Sequence, residues 1–134
     1  MPKLTMRLCE QIINGVVNTA ATDGGSPVAV VVCDQEGFLV GLMKMDGAPT
    51  RCVHFARHKA YTAARMQTTT AAFQDRLQQE RLDISYFCDP DLTPLPGGAP
   101  IVAGDGTVIG SVGISGRPSI EDQQLAIKAA RLEF

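Results

Sequence analysis

The chain has no tryptophan and only two tyrosines and five phenylalanines in 134 residues. It has no basic surplus either: 12 Lys and Arg stand against 14 Asp and Glu, for a formal net charge of −2. Without excess cations to neutralise phosphates, or aromatics interleaved with them, nucleic acid is not an expected partner. The longest unbroken apolar run, Val28–Cys33, is far short of the roughly 20 residues a membrane span needs. No membrane partner is expected. The start, Met1-Pro2-Lys3-Leu4-Thr5-Met6-Arg7, has no apolar stretch behind its basic residues. It does not read as a secretory signal, and a cytoplasmic location is expected.

The four cysteines, Cys9, Cys33, Cys52 and Cys88, form no CxxC and no zinc-ligand pair. Free, mostly buried thiols are expected. Other absences narrow the chemistry. There is no P-loop, no HExxH and no complete GxGxxG. Ser115 sits in Gly113-Ile114-Ser115-Gly116, which is not the GxSxG of a nucleophile elbow.

What is present is unevenly placed. Seven of the 13 glycines fall between Gly97 and Gly116, and four of the eight prolines between Pro90 and Pro100. The length suits one domain, residues 1–134. Leu4, Leu8, Ile12, Val16 and Ala20 recur at helical spacing, and Asp23-Gly24-Gly25-Ser26-Pro27 ends that helix. Val28–Cys33 reads as a central strand, and Phe38–Met43 as its hairpin partner. Residues 50–67 and 69–82 read as helices, residues 84–88 as a short strand, and 101–115 as a second hairpin. A final helix, capped by Ser119, is expected from Ile120 to near Phe134. Hairpin-joined strands with packed helices predict an α+β fold with an antiparallel sheet.

In the 50–67 helix, Val53, Ala56, Ala60, Ala63 and Ala64 share one side. Arg51, His54, His58, Tyr61 and Arg65 share the other. Lys59 lies between, where its ammonium either meets a ligand carboxylate at the sheet edge or is solvated or salt-bridged, with Asp46 one partner. His54 and His58 have a spacing that can hold a metal or a tetrapyrrole iron; solvent exposure or a subunit interface also explains them. In Leu95-Pro96-Gly97-Gly98-Ala99-Pro100, the glycine amides either point at an anion or only turn the chain into a strand. Ile109, Ser111, Gly113 and Ser115 share one strand face. Three of these four are Gly or Ser, so a helix or a ligand packs closely there.

Five motifs in order carry a resemblance: Met45-Asp46-Gly47-Ala48-Pro49, Lys59-Ala60-Tyr61-Thr62-Ala63, Pro96-Gly97-Gly98-Ala99-Pro100-Ile101, Gly110–Gly116 and Glu121-Asp122. With the Pro27–Asp34 strand, they resemble the GlcG/HbpS-like family over nearly the whole chain. That family includes haem-binding and haem-degrading proteins and the C-terminal domain of some corrinoid adenosyltransferases. The resemblance implies a profilin-like α+β domain with a five-stranded antiparallel sheet, usually a homo-oligomer. It also implies that the loops around Asp46, Lys59 and Gly97-Gly98 converge.

Three functions follow as expectations. The first is a binding protein for haem, another tetrapyrrole or a small carboxylate, with Met45, Asp46, Lys59, Pro96, Gly97, Gly98 and Ser115 as ligand-binding residues. The second is an enzyme on a small oxo- or hydroxy-acid, with Lys59 and Asp46 as catalytic acid and base and the Gly97 and Gly98 amides holding an oxyanion. The third is an oligomeric subunit that interacts through the Arg51/His54/His58/Tyr61/Arg65 face.

Overall fold

A computed structural model describes residues 3–134. Met1 and Pro2, which begin the stretch read above as a non-signal, lie outside the described residues. The element order is α1 (Met6–Thr22), β1 (Ala29–Asp34), β2 (Leu39–Lys44), α2 (Arg51–Met66), α3 (Thr70–Glu80), a 3₁₀ turn (Ile84–Phe87), β3 (Gly98–Val102), β4 (Val108–Ser115) and α4 (Ser119–Ala130). The strands form one antiparallel sheet in the order β2-β1-β4-β3.

The α+β expectation holds, with corrections to its elements. The sheet has four strands among the described residues, where five were implied. Residues 84–88 are not a strand: Ile84–Phe87 is a 3₁₀ turn started by the Asp83 side chain, which accepts the Ser85 amide at 2.9 Å. A short polar cap closes one turn, and the segment pairs with no strand of the sheet. The last helix ends at Ala130, and its N-cap is Pro118 rather than Ser119. The Pro118 carbonyl accepts the Glu121 and Asp122 amides, which places Ser119 inside the helix.

β1 is buried on both faces, as its unbroken β-branched run requires. Val28, Val30 and Val32 point to a core shared with α1 and α4, through Ile12, Val16, Leu125 and Ala129. Ala29, Val31 and Cys33 point the other way, onto Cys52, Ala56 and Ala60 of α2. The close packing read from the Gly/Ser face of β4 is a helix packing. A Cβ on Gly113 would collide with the Ala56 carbonyl and lie 2.6 Å from the Ala60 amide. Ser111 Oγ donates to the Ala60 carbonyl at 2.5 Å. The alanine face of α2 therefore rides directly on β4 and β1. The start of α2, the end of β4 and the start of α4 thus meet at one end of the sheet.

Candidate functional site

Lys59 shows how that meeting point is built. It leaves α2 on the flank of the alanine face and runs under Gly97, whose φ of +136° is open to glycine. A Cβ at Gly97 would lie 2.8 Å from Lys59 Nζ and 2.6 Å from the Ile114 carbonyl. The ammonium donates to that carbonyl at 2.9 Å and to Asp122 Oδ2 at 3.3 Å. Asp122 Oδ1 accepts the Arg117 amide at 3.0 Å. Lys59 is 3% exposed and Asp122 2%, so the charges meet almost without water. Burial draws the ammonium below its ordinary pKa, against the attraction of Asp122. Burial likewise pushes the Asp122 carboxyl up, against the pull of Lys59 and the Arg117 amide.

The pair lies at the floor of a cleft of about 280 Å³, bordered by Arg51, Cys52, Phe55, Ser115 and Ser119. Ser115 is 5% exposed. Its hydroxyl makes no hydrogen bond among the described residues, yet none of their buried side-chain oxygens is sealed off without a partner. The hydroxyl therefore opens onto the cleft. Lys59 Nζ makes two hydrogen bonds among the described residues, so a third N–H has no partner among them. Arg117, beside the cleft, is committed elsewhere. Its guanidinium clasps Asp23 with bonds of 2.7 and 2.8 Å, and its Nε donates to the Ser26 carbonyl at 2.8 Å.

The Gly97 and Gly98 amides face inward. Gly97 N–H donates to Gln123 Oε1 and Gly98 N–H to Thr70 Oγ1, both at 2.9 Å. Gln123 Nε2 returns a bond to the Gly98 carbonyl at 2.9 Å. These amides are already spent on the fold, so they are not oxyanion donors in this structure.

On the outer side of α2, His58 Nδ1 lies 2.8 Å from the Asp91 carbonyl. His58, Arg57, Tyr61, Phe38, Leu39 and Asp91 border a second cleft of about 160 Å³. No group of three His, Cys, Asp or Glu side chains among the described residues is placed to hold a bare metal ion.

A family model described as haem degrading protein HbpS-like matches residues 4–131. The chain belongs to the HbpS-like family. Protein GlcG of Escherichia coli strain K12 is 35% identical to this HbpS-like chain over 88 residues, or 66% of the chain. That match spans 63% of GlcG, less than two-thirds of the curated relative. A double mutant of Streptomyces reticuli HbpS superposes with a TM-score of 0.86 at 28% identity, covering 98% of this chain and 88% of the other. The structure of a PduOC–haem complex superposes with a TM-score of 0.85 at 26% identity, covering 97% of this chain and 94% of that one.

In this HbpS-like domain the convergence expected of the three loops is partial. Lys59 and Gly97 meet, and Ser115 joins them. Asp46 is exposed in its turn and does not border the cleft; Pro49 is the member of that loop that does. Met45 turns to the opposite side of the sheet, where it packs on the α1/α4 core and its sulfur meets the Val28 amide at 3.5 Å. Pro96 is half-buried beside Gly97. The salt-bridge partner of Lys59 is Asp122, not Asp46, because the lysine stem points beneath β4 toward α4. Sequence reasoning missed Gln123 as the clamp of the Gly-Gly segment. Its one signal was a glutamine inside an apolar helix stripe, which spacing alone cannot tell from a solvated one. Cys9, Cys33 and Cys52 are buried free thiols and Cys88 is an exposed one.

Proposed function

We propose that this HbpS-like domain binds a small molecule, and that the Lys59/Ser115 cleft takes a short carboxylic acid. One observation carries the reading: a nearly buried serine hydroxyl with no partner among the described residues, on the same cleft as a lysine ammonium with a donor to spare. A carboxylate oxygen accepts from both, and charge assistance makes such bonds about twice as strong as neutral ones. Arg51 on the rim adds positive charge, against the Asp122 carboxylate already paired with Lys59. A volume of about 280 Å³ suits a short hydroxy- or oxo-acid and is too small to enclose a tetrapyrrole. Binding is favoured over turnover. The acid–base pair of Lys59 and Asp46 is not assembled, and the glycine amides are engaged within the fold.

Thermal denaturation with short hydroxy- and oxo-acids tests this. A ligand at a hundred times its Kd stabilises by about 2.7 kcal/mol, which is readable as a rise in Tm. Ser115→Ala should fold normally and lose most of that rise. If no acid raises the Tm of the wild type, or if Ser115→Ala responds equally, the reading fails.

Haem is the second reading, supported by the family description and by the haem in the similar PduOC structure. Its needs are an iron ligand and flat apolar cover. The Lys59 cleft has Cys52 and Phe55 on its border but too little volume for the ring, and His58 with Phe38 stands at a separate, smaller cleft on the outer side of α2.

A further inference from the structure

We propose that the Lys59 cleft selects short oxo-acids over hydroxy-acids, because the Cys52 thiol adds reversibly to their carbonyl carbon. This rests on the carboxylic-acid reading and names the ligand class within it.

The fold brings the thiol to the carboxylate-binding groups from two directions. Cys52 and Lys59 are both buried residues of α2, two turns or about 10 Å of helix apart. Helical side chains lean toward the N-terminus of their helix, so the Lys59 stem leans back toward Cys52. On the sheet, Ser115 of β4 stands opposite Ala29 of β1. Such opposed residues share a face, with Cβ atoms about 4.5–5.5 Å apart. Ala29 packs in the same apolar cluster as Cys52. The thiol on the helix and the hydroxyl on the strand thus border one cleft. Burial lowers the Lys59 ammonium, while Asp122 and then Cys52 hold it up, so the sulfur is within electrostatic reach of the cation.

A buried cysteine against apolar neighbours is usually inert. What singles this one out is the donor pair beside it. The Ser115 hydroxyl, 5% exposed, has no partner among the described residues, and a Lys59 N–H is free among them. A carboxylate anchored on these donors keeps its α-carbon one bond away, inside a cleft of about 280 Å³ that the free Cys52 thiol also borders. Holding both reactants there converts a weak bimolecular addition into an intramolecular one.

The addition needs no co-reactant. The sulfur pair forms an S–C bond to the α-carbonyl carbon, the C=O π bond breaks, and the thiol proton moves to the former carbonyl oxygen. Nothing is oxidised or reduced and no group leaves, so the hemithioacetal reverts when the acid dissociates. The α-carbon of a hydroxy-acid is saturated and cannot accept the sulfur.

Titration of the full chain with glyoxylate, carbon-13 labelled at its aldehyde carbon, tests this by NMR, with thermal denaturation in parallel. The wild type should show a bound hemithioacetal resonance and prefer glyoxylate to glycolate by about tenfold or more in Kd. Cys52→Ala should lose both the resonance and the preference. Ser115→Ala should weaken binding of both acids. Acetaldehyde, a carbonyl without the carboxylate, should give no such resonance at the same concentration. Cys88→Ser, which removes the exposed thiol, should change nothing. Circular dichroism checks that each variant is folded. A wild type that binds neither acid overturns the carboxylic-acid reading and this site together. A wild type that binds both acids equally with no hemithioacetal resonance, or a resonance that persists in Cys52→Ala, overturns the Cys52 assignment alone.

Discussion

Lys59 and Asp122 are the two residues whose chemistry depends most on their setting. A pair this dry is a poor source of net stability, but removing one partner strands a charge in the core. Lys59→Met or Asp122→Asn alone should destabilise by about 3–5 kcal/mol. The double variant Lys59→Met/Asp122→Asn should recover most of the loss, because Asn still accepts the Arg117 amide. Urea denaturation of the four proteins gives the coupling directly. Single variants that each cost under about 1 kcal/mol would mean that the pair is not charged when folded. Lys59 was legible in the sequence as a cation on the edge of an alanine face. Its partner was not, because it stands 63 positions away and only the packing of α4 brings it within reach.

Among the elements, the hold of Arg117 on α1 has a definite dependence on pH. Asp23, the C-cap of α1, is held down to a pKa of about 2 by the Arg117 guanidinium, helped by the Gly25 amide. Its ordinary value is 3.8. A carboxyl lowered on folding contributes stability that is complete above the unfolded value and is lost as pH falls toward the folded one. The clamp between α1 and the β4–α4 turn should therefore weaken between pH 3.8 and about 2. Asp23→Asn should lose less stability over that window than the wild type in denaturant titrations. Equal slopes would mean that the clasp contributes nothing to the fold. At this scale the helices and hairpins were readable from period and breakers. The 3₁₀ turn was not: its short apolar run satisfies a strand pattern, and only the absence of a neighbouring strand decides against one.

For the whole molecule, β2 is the conspicuous surface. It is an edge of the sheet, and Leu39, Val40, Leu42 and Met43 are all 41–49% exposed. An apolar edge with unpaired backbone groups is what proteins normally blunt or cover. The homo-oligomer implied by the resemblance is expected to use this edge. The α2 face read earlier as the interface is partly engaged already, with Tyr61 donating to Asp89 at 2.6 Å and Arg65 lying 5.2 Å over the Tyr61 ring. Light scattering should find the wild type multimeric and Leu42→Lys of lower mass. A monomeric wild type would sink this expectation. No helix among the described residues is long and apolar enough to cross a membrane.

Local order in the chain was enough to determine the α+β class, the buried central strand, the alanine face of α2 and the loops worth watching. Each rests on interactions between near neighbours or on a simple alternation of apolar side chains. Which groups are spent and which are free was decided by the tertiary structure. The Gly97 and Gly98 amides, poised for an anion on paper, are taken by Gln123 and Thr70. Asp46 stays in water, while Ser115 is buried without a partner and His58 is turned by a carbonyl 33 positions away. A hydrogen bond between distant residues leaves no periodic trace in sequence. It exists only once burial has brought its partners together and removed the water that would otherwise compete for them.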